Sequence, residues 1–272
     1  MPNEQFPAGF PDPLPLPPHY DPASVEKVWR VPYQQRAAEA RGWAKQHAIR
    51  AAADDKFKIG LVLVDAQNTF CLPDFELFVA GRSGMGAVQD NQRLCEFIYR
   101  NLGVITHITL TMDTHRVIQI FHAIFLIDNQ GNHPQPHTLV THQDILAGRW
   151  RFNPAAAASL GIDPQAGQRH LAYYTRALEE QGKYALTIWP YHAMLGGIGH
   201  ALVSAVEEAV FFHTVARQTQ ADFVIKGQYA NTESYSAIGP EVLSGPEGEL
   251  IASKDMGFLR RVKENDLTGF AG

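Results

Sequence analysis

Cysteine is scarce. Only Cys71 and Cys95 occur in 272 residues, too few for a disulfide framework or a cysteine-built zinc site, and a reducing compartment is the simple reading. Long apolar runs are missing as well. The stretch Ile59 to Val64 is far too short to span a bilayer, and no charged-then-apolar leader opens the chain, so a soluble, cytoplasmic protein without a membrane partner is expected. There is no lysine- or arginine-rich run, and the formal net charge is −5. A nucleic-acid partner, which requires a concentrated basic face, is therefore not expected. No internal repeat is visible, which excludes solenoids and propellers.

What is present is ordinary globular material, with 45% hydrophobic and 19% charged residues, enough apolar surface to build a core. Eight of the 17 prolines fall within the first 22 residues, a composition short of backbone donors that favours extended polyproline conformation. Residues 1–24 are read as a Pro-rich arm and 25–272 as one α/β domain. Twelve histidines direct attention to metal sites of imidazole and carboxylate.

The hydrophobic pattern alternates between element types. Val25 to Ala53 has helical composition, broken early by Pro32. Lys58 to Asp65 is an apolar, β-branched run that ends in a carboxylate, as expected of a strand buried on both faces. Ala87 to Leu102 has helical spacing, and Val104 to Met112 is a second strand, followed by Asp113. The polar stretch from Asp128 to Gln168, rich in histidine, proline and glutamine, is expected to contain loops that build one wall of a site. Tyr184 to Trp189 is a third strand, Ile198 to Ala216 a helix and Asp222 to Lys226 a fourth strand. The order predicts a doubly wound parallel sheet, which binds ligands beyond the carboxyl ends of its strands. Asp65, Asp113, His192 and Lys226 all fall at or just after such predicted ends.

Four constellations could carry chemistry. In Asp65-Ala-Gln67-Asn-Thr-Phe70 a strand-terminal carboxylate, partly desolvated, could act as a general base. Asp113 and His115, two apart on an extended segment, together with His192, leave coordination positions open and suit zinc, iron or manganese. His122, His133 and His137 are further imidazoles, His122 on an expected helix. Lys226, closing a strand, either snorkels to solvent or stands as a fixed charge. The glycines 81, 84 and 86 have GxxGxG spacing with no Walker lysine, and no nucleotide cofactor is expected.

In this order the residues resemble the isochorismatase/nicotinamidase-like cysteine hydrolases. The matching pieces are Asp65-x-Gln67-x-x-Phe70, the strand leading into Asp113-Thr-His115, Trp189-Pro-x-His192 with the glycine-rich stretch to His200, and Lys226-Gly227 after a strand. Glu233-x-Tyr235-Ser236 is most similar to the nicotinamidase-related amidases. The resemblance implies a Rossmann-like, three-layer α/β fold with helices on both faces of the sheet, a homo-oligomer, and hydrolysis of a small-molecule amide. It also implies Asp65 and Lys226 as two members of an Asp-Lys-Cys triad, and a divalent metal, zinc first, on Asp113, His115 and His192. Gln67, Phe70 and Tyr235 are implied at the substrate pocket.

The third triad member departs from that pattern. The resemblance implies a cysteine in a tight turn after the next strand, whereas the given sequence runs from Arg261 to Gly272 without one, so the expectation is that the C-terminal part lies outside it. Cys95 has the helical spacing of an inert core thiol, and Cys71, six residues after Asp65, lacks the oxyanion turn. A metal-dependent hydrolase using Asp113, His115 and His192, or a catalytically silent binding or assembly protein, are the alternatives.

Overall fold

A computed structural model describes residues 12–264 and 269–271. In chain order the helices are α1 (Tyr33–Gln46), α2 (Asn68–Cys71), α3 (Gly86–Arg100), α4 (His142–Leu146), α5 (Ala157–Leu160), α6 (Pro164–Glu180), α7 (Ser204–Arg217) and α8 (Met256–Glu264). The strands are β1 (Ile59–Val64), β2 (His107–Asp113), β3 (Leu126–Ile127), β4 (Leu139–Val140), β5 (Arg151–Phe152), β6 (Leu186–Thr187), β7 (Asp222–Lys226) and β8 (Gly269–Ala271). The chain forms two compact units, neither continuous in sequence. The first takes in the chain up to Thr111, Leu202–Val224 and the residues from Arg260 on, and the second Met112–Ala201 with Ile225–Leu259.

The main sheet has the order β7-β2-β1-β8, with β1 parallel to β2 (Leu61 opposite Ile108, Leu63 opposite Leu110) and parallel to β8. This is the expected three-layer α/β class, a parallel sheet flanked by helices. A parallel pair needs a long crossover, and α3 supplies it between β1 and β2. In the first unit α7 packs against both α1 and α3. The helix α3 buries Val88, Cys95, Ile98 and Tyr99, and α7 buries Val206, Ala209 and Phe212, each large apolar side chain contributing about 1.5–3 kcal/mol. Arg36 of α1 meets Glu208 of α7 at 2.7 Å. Arg217, fully buried, is satisfied by the Ile105 and Arg50 carbonyls and by Asp55, as a buried cation requires. The described part of the Pro-rich stretch packs on this unit: the Leu14 amide donates to the Arg100 carbonyl, and His19 lies against Tyr99 and Phe212.

The second unit has its own core, with Phe121, Phe125, Leu126, Phe152, Leu171, Tyr174, Leu178 and Ile188 among its members. Two short antiparallel ribbons frame it, β3 with β5 and β4 with β6. Two expectations are corrected here. The third strand shrinks to Leu186–Thr187 and pairs antiparallel with β4 outside the main sheet, because the amides that follow it are taken by carbonyls of the second unit, Ile188 by Thr138 and Trp189 by Phe121. Within the polar stretch before residue 168, α6 begins at Pro164, capped by Asp163, whose carboxylate accepts from the Gln165 and Ala166 amides. The helix α7 starts at Ser204, not Ile198, because the His200 amide turns back to the Gly197 carbonyl and the Val203 amide is taken by the Ala66 carbonyl. Among the described residues no helix is long and apolar enough to cross a membrane.

Candidate metal centre

Asp113 is the last residue of β2 and belongs to the second unit, as do His115, His192 and Lys226. Its carboxylate is 8% exposed and receives His115 Nε2 at 2.9 Å. Backbone pairing then brings up the other histidine. The His115 amide donates to the Ala193 carbonyl (3.0 Å) and the Leu195 amide to the His115 carbonyl (2.9 Å), a parallel bridge that lays the Trp189–Met194 segment beside the end of β2. Ala193 takes a positive φ of 45°. His192 Nε2 thereby stands 3.6 Å from the same Asp113 oxygen.

Lys226, the last residue of β7, completes the cluster. Its Nζ is 3.8 Å from Asp113 Oδ1 and donates to the Tyr235 carbonyl at 3.2 Å. Gly227 explains why a glycine must follow it. Its φ is +83°, and a Cβ there would lie 2.7 Å from His115 Cε1, a clash on top of a strained backbone. Gln119, 1% exposed, holds the same turn by donating to the Gly227 and Tyr229 carbonyls.

The donor set fits a divalent cation. One ligand atom each from Asp113, His115 and His192 lies within 4.8 Å of the others, and all three residues are buried. The Pro190 carbonyl, 2.8 Å from His192 Nδ1, can only accept, so Nδ1 carries the proton and Nε2 turns a lone pair toward the carboxylate, the outer hydrogen bond typical of a metal-bound imidazole. His115 Nδ1 is buried without a partner. Burial alone would raise the Asp113 carboxyl, but the hydrogen bond from His115 and the charges of His115 and Lys226 outweigh it and hold it well below the usual carboxylate range.

His122 adjoins this cluster. It precedes a 3-10 turn, Ala123–Phe125, and is not on the expected helix. Its ring stands 5.9 Å from that of His115 and 6.3 Å from that of His192. Nδ1 donates to the Val117 carbonyl, Nε2 has no partner, and desolvation, then the charge of His115, pushes the imidazole down to about 3. His133 is used by the Leu126 carbonyl, and His137 lies against Trp189.

The remaining residues singled out in the sequence divide between the units. Asp65 follows β1 with a φ of +50°, an uncommon conformation for a non-glycine residue. Its amide donates to Thr111 Oγ1 and that hydroxyl donates back to its carboxylate at 2.6 Å. Gln67 is fully buried and Phe70 half-buried beside it. So Asp65, Gln67 and Phe70 belong to the first unit, while Asp113, His115, His192, Lys226 and Tyr235 come together in the second. His192 does not follow a main-sheet strand, as its sequence position suggested, and arrives through the bridge at Met194. Burial raises both thiols, Cys71 and Cys95, the reverse of what activates a nucleophile. Sequence reasoning missed Gln119 and Tyr174 and gave Glu233 no role beyond its place in the Glu233-x-Tyr235-Ser236 segment; all three bear on the site through long-range packing.

No protein-family model and no curated protein matches this chain. It is similar to solved nicotinamidases. The yeast nicotinamidase Pnc1p bound to the inhibitor nicotinaldehyde is 16% identical, with 78% of this chain and 75% of that chain covered and a TM-score of 0.43. A second structure of the yeast protein is 15% identical over 78% and 72%, with a TM-score of 0.44. An Acinetobacter baumanii nicotinamidase/pyrazinamidase is 18% identical over 80% and 70%, at 0.42. Similarity at this level assigns no activity to this chain.

Proposed function

We propose that this protein is a metal-dependent hydrolase of a small amide. The observation that carries the reading is the convergence of His115, His192 and the Lys226 ammonium on the single buried carboxylate of Asp113. Asp113, His115 and His192 would hold a divalent ion, zinc by ligand type, which would supply Lewis acidity toward a carbonyl oxygen. The chain's own groups do the rest. Lys226, fixed by the Tyr235 carbonyl, presents a cation to the negative charge that develops on that oxygen as water adds to the carbonyl carbon, after which the C–N bond breaks and the nitrogen leaves with the proton that water gives up. Asp113 stays ionised beneath it. A cavity of about 390 Å³ lies beside Lys226, lined also by Gly227, Ser234, Ser236 and Lys254, a size suited to a small substrate.

The Asp-Lys-Cys reading is favoured by Asp65 and Lys226 following β1 and ending β7. The two part on one experiment. Protein stripped with chelator, then given Zn²⁺, is assayed for ammonia release from a panel of primary amides, with and without iodoacetamide. Metal-restored release that alkylation leaves intact supports the proposal. Release that survives chelation and falls with iodoacetamide favours the thiol mechanism, and tight zinc binding with no release from any amide leaves a silent binder.

A further inference from the structure

Behind the cluster sits a carboxylate that belongs to no ligand set. Glu233 is 3% exposed. Its Oε1 accepts from the Tyr235 hydroxyl at 2.9 Å and its Oε2 from the Tyr174 hydroxyl at 3.1 Å. The Trp189 indole can only donate, and it donates to the Tyr235 hydroxyl at 2.9 Å, which turns that phenol's own proton toward Glu233. The Glu233 amide likewise donates to the Tyr174 oxygen at 3.1 Å, which turns the second phenol's proton toward Oε2. Only an ionised carboxylate accepts both.

The network fastens three stretches of the second unit together. Tyr174 is on α6, Trp189 lies three residues before His192, and the carbonyl of Tyr235 receives the Lys226 ammonium. We propose that Glu233 is the positioning residue of this site, the double acceptor that locks Trp189 and Tyr235 and so sets His192 and Lys226 around Asp113. This rests on the reading of the cluster as a metal centre.

Protonation would reverse one of the two links, since a neutral carboxyl must donate to a phenol. Burial pushes the Glu233 carboxyl up to about 7. The groups facing it are Tyr174, Tyr184, Tyr235 and Glu241, the last paired with Lys183.

Two readouts test the proposal, Co²⁺ binding followed by its visible spectrum, and Trp189 emission taken as the difference between each protein and its Trp189→Phe counterpart. Glu233→Gln is expected to weaken Co²⁺ by about tenfold, as outer-shell changes do. It should also abolish a Trp189 emission change centred near pH 7. Tyr235→Phe, which removes one hydroxyl, should do the same, and the double variant no more. Wild-type Co²⁺ affinity together with wild-type emission in both variants would overturn the proposal. Should the wild-type protein bind no Co²⁺, the metal reading fails by itself, and the emission titration still decides on Glu233: an unchanged profile in Glu233→Gln refutes it.

Discussion

Replacing Glu233 by glutamine should change how stability depends on pH by a calculable amount. The buried carboxyl titrates at about 7 in the folded protein, against an ordinary value of 4.5. Between those values the native state keeps a proton that the unfolded chain has released. Stability contributed by this group is therefore full below pH 4.5 and falls as pH rises toward 7. At about 1.4 kcal/mol per pH unit the loss comes to about 3 kcal/mol. Glutamine does not titrate, so the stability of Glu233→Gln relative to wild type should rise by that amount across the window. In melting temperature this is roughly 6–12 °C, at about 2–4 °C per kcal/mol for a chain of this size. The buried imidazoles of His19, His122, His170 and His213, all lowered chiefly by desolvation, push the other way as pH rises. They are common to both proteins and cancel in the difference. The assay is thermal denaturation of metal-free protein from pH 4.5 to 8.5, and parallel curves for the two proteins would refute the reasoning.

Three other outcomes are expected. His192→Ala leaves two protein ligands and should lower Zn²⁺ affinity in a competition titration by at least the roughly 100-fold that loss of an outer hydrogen-bond partner can cost; unchanged affinity would remove His192 from the ligand set. Gly227→Ala, placing a Cβ 2.7 Å from His115 Cε1 at a φ of +83°, should cost about 1–3 kcal/mol for the backbone alone and weaken Zn²⁺ as well, measured by denaturation and the same titration. Because burial raises both thiols, Cys71 and Cys95 should react with a disulfide reagent only as the protein unfolds, and rapid modification of native protein would contradict their environment.

Much of the main sheet was legible because its signals are local. The run from Ile59 to Val64 and the run ending in Asp113 are apolar, short and bounded by turn residues, and α3 between them has a clear amphipathic repeat. The cap at Asp163-Pro164 was also visible in principle, a side-chain acceptor before a proline at the first helical position, but the surrounding glutamines and histidines masked it. Tyr184 to Trp189 misled, since a β-rich run says nothing about which strand it will pair with. It joined β4, outside the main sheet.

Residue type and order along the chain were enough to nominate Asp113, His115, His192 and Lys226, because carboxylate, imidazole and ammonium carry their chemistry wherever they are placed. Their assembly depends on contacts that have no period in sequence. The Ala193 and Leu195 backbone swings His192 onto Asp113, Gly227 leaves room for the His115 ring, and Pro190 selects the tautomer of His192. Glu233 gives no sign in the sequence that it sits among two phenols and an indole. Burial and partner geometry, which arise only when distant segments pack, convert an ordinary glutamate into one that titrates near neutrality.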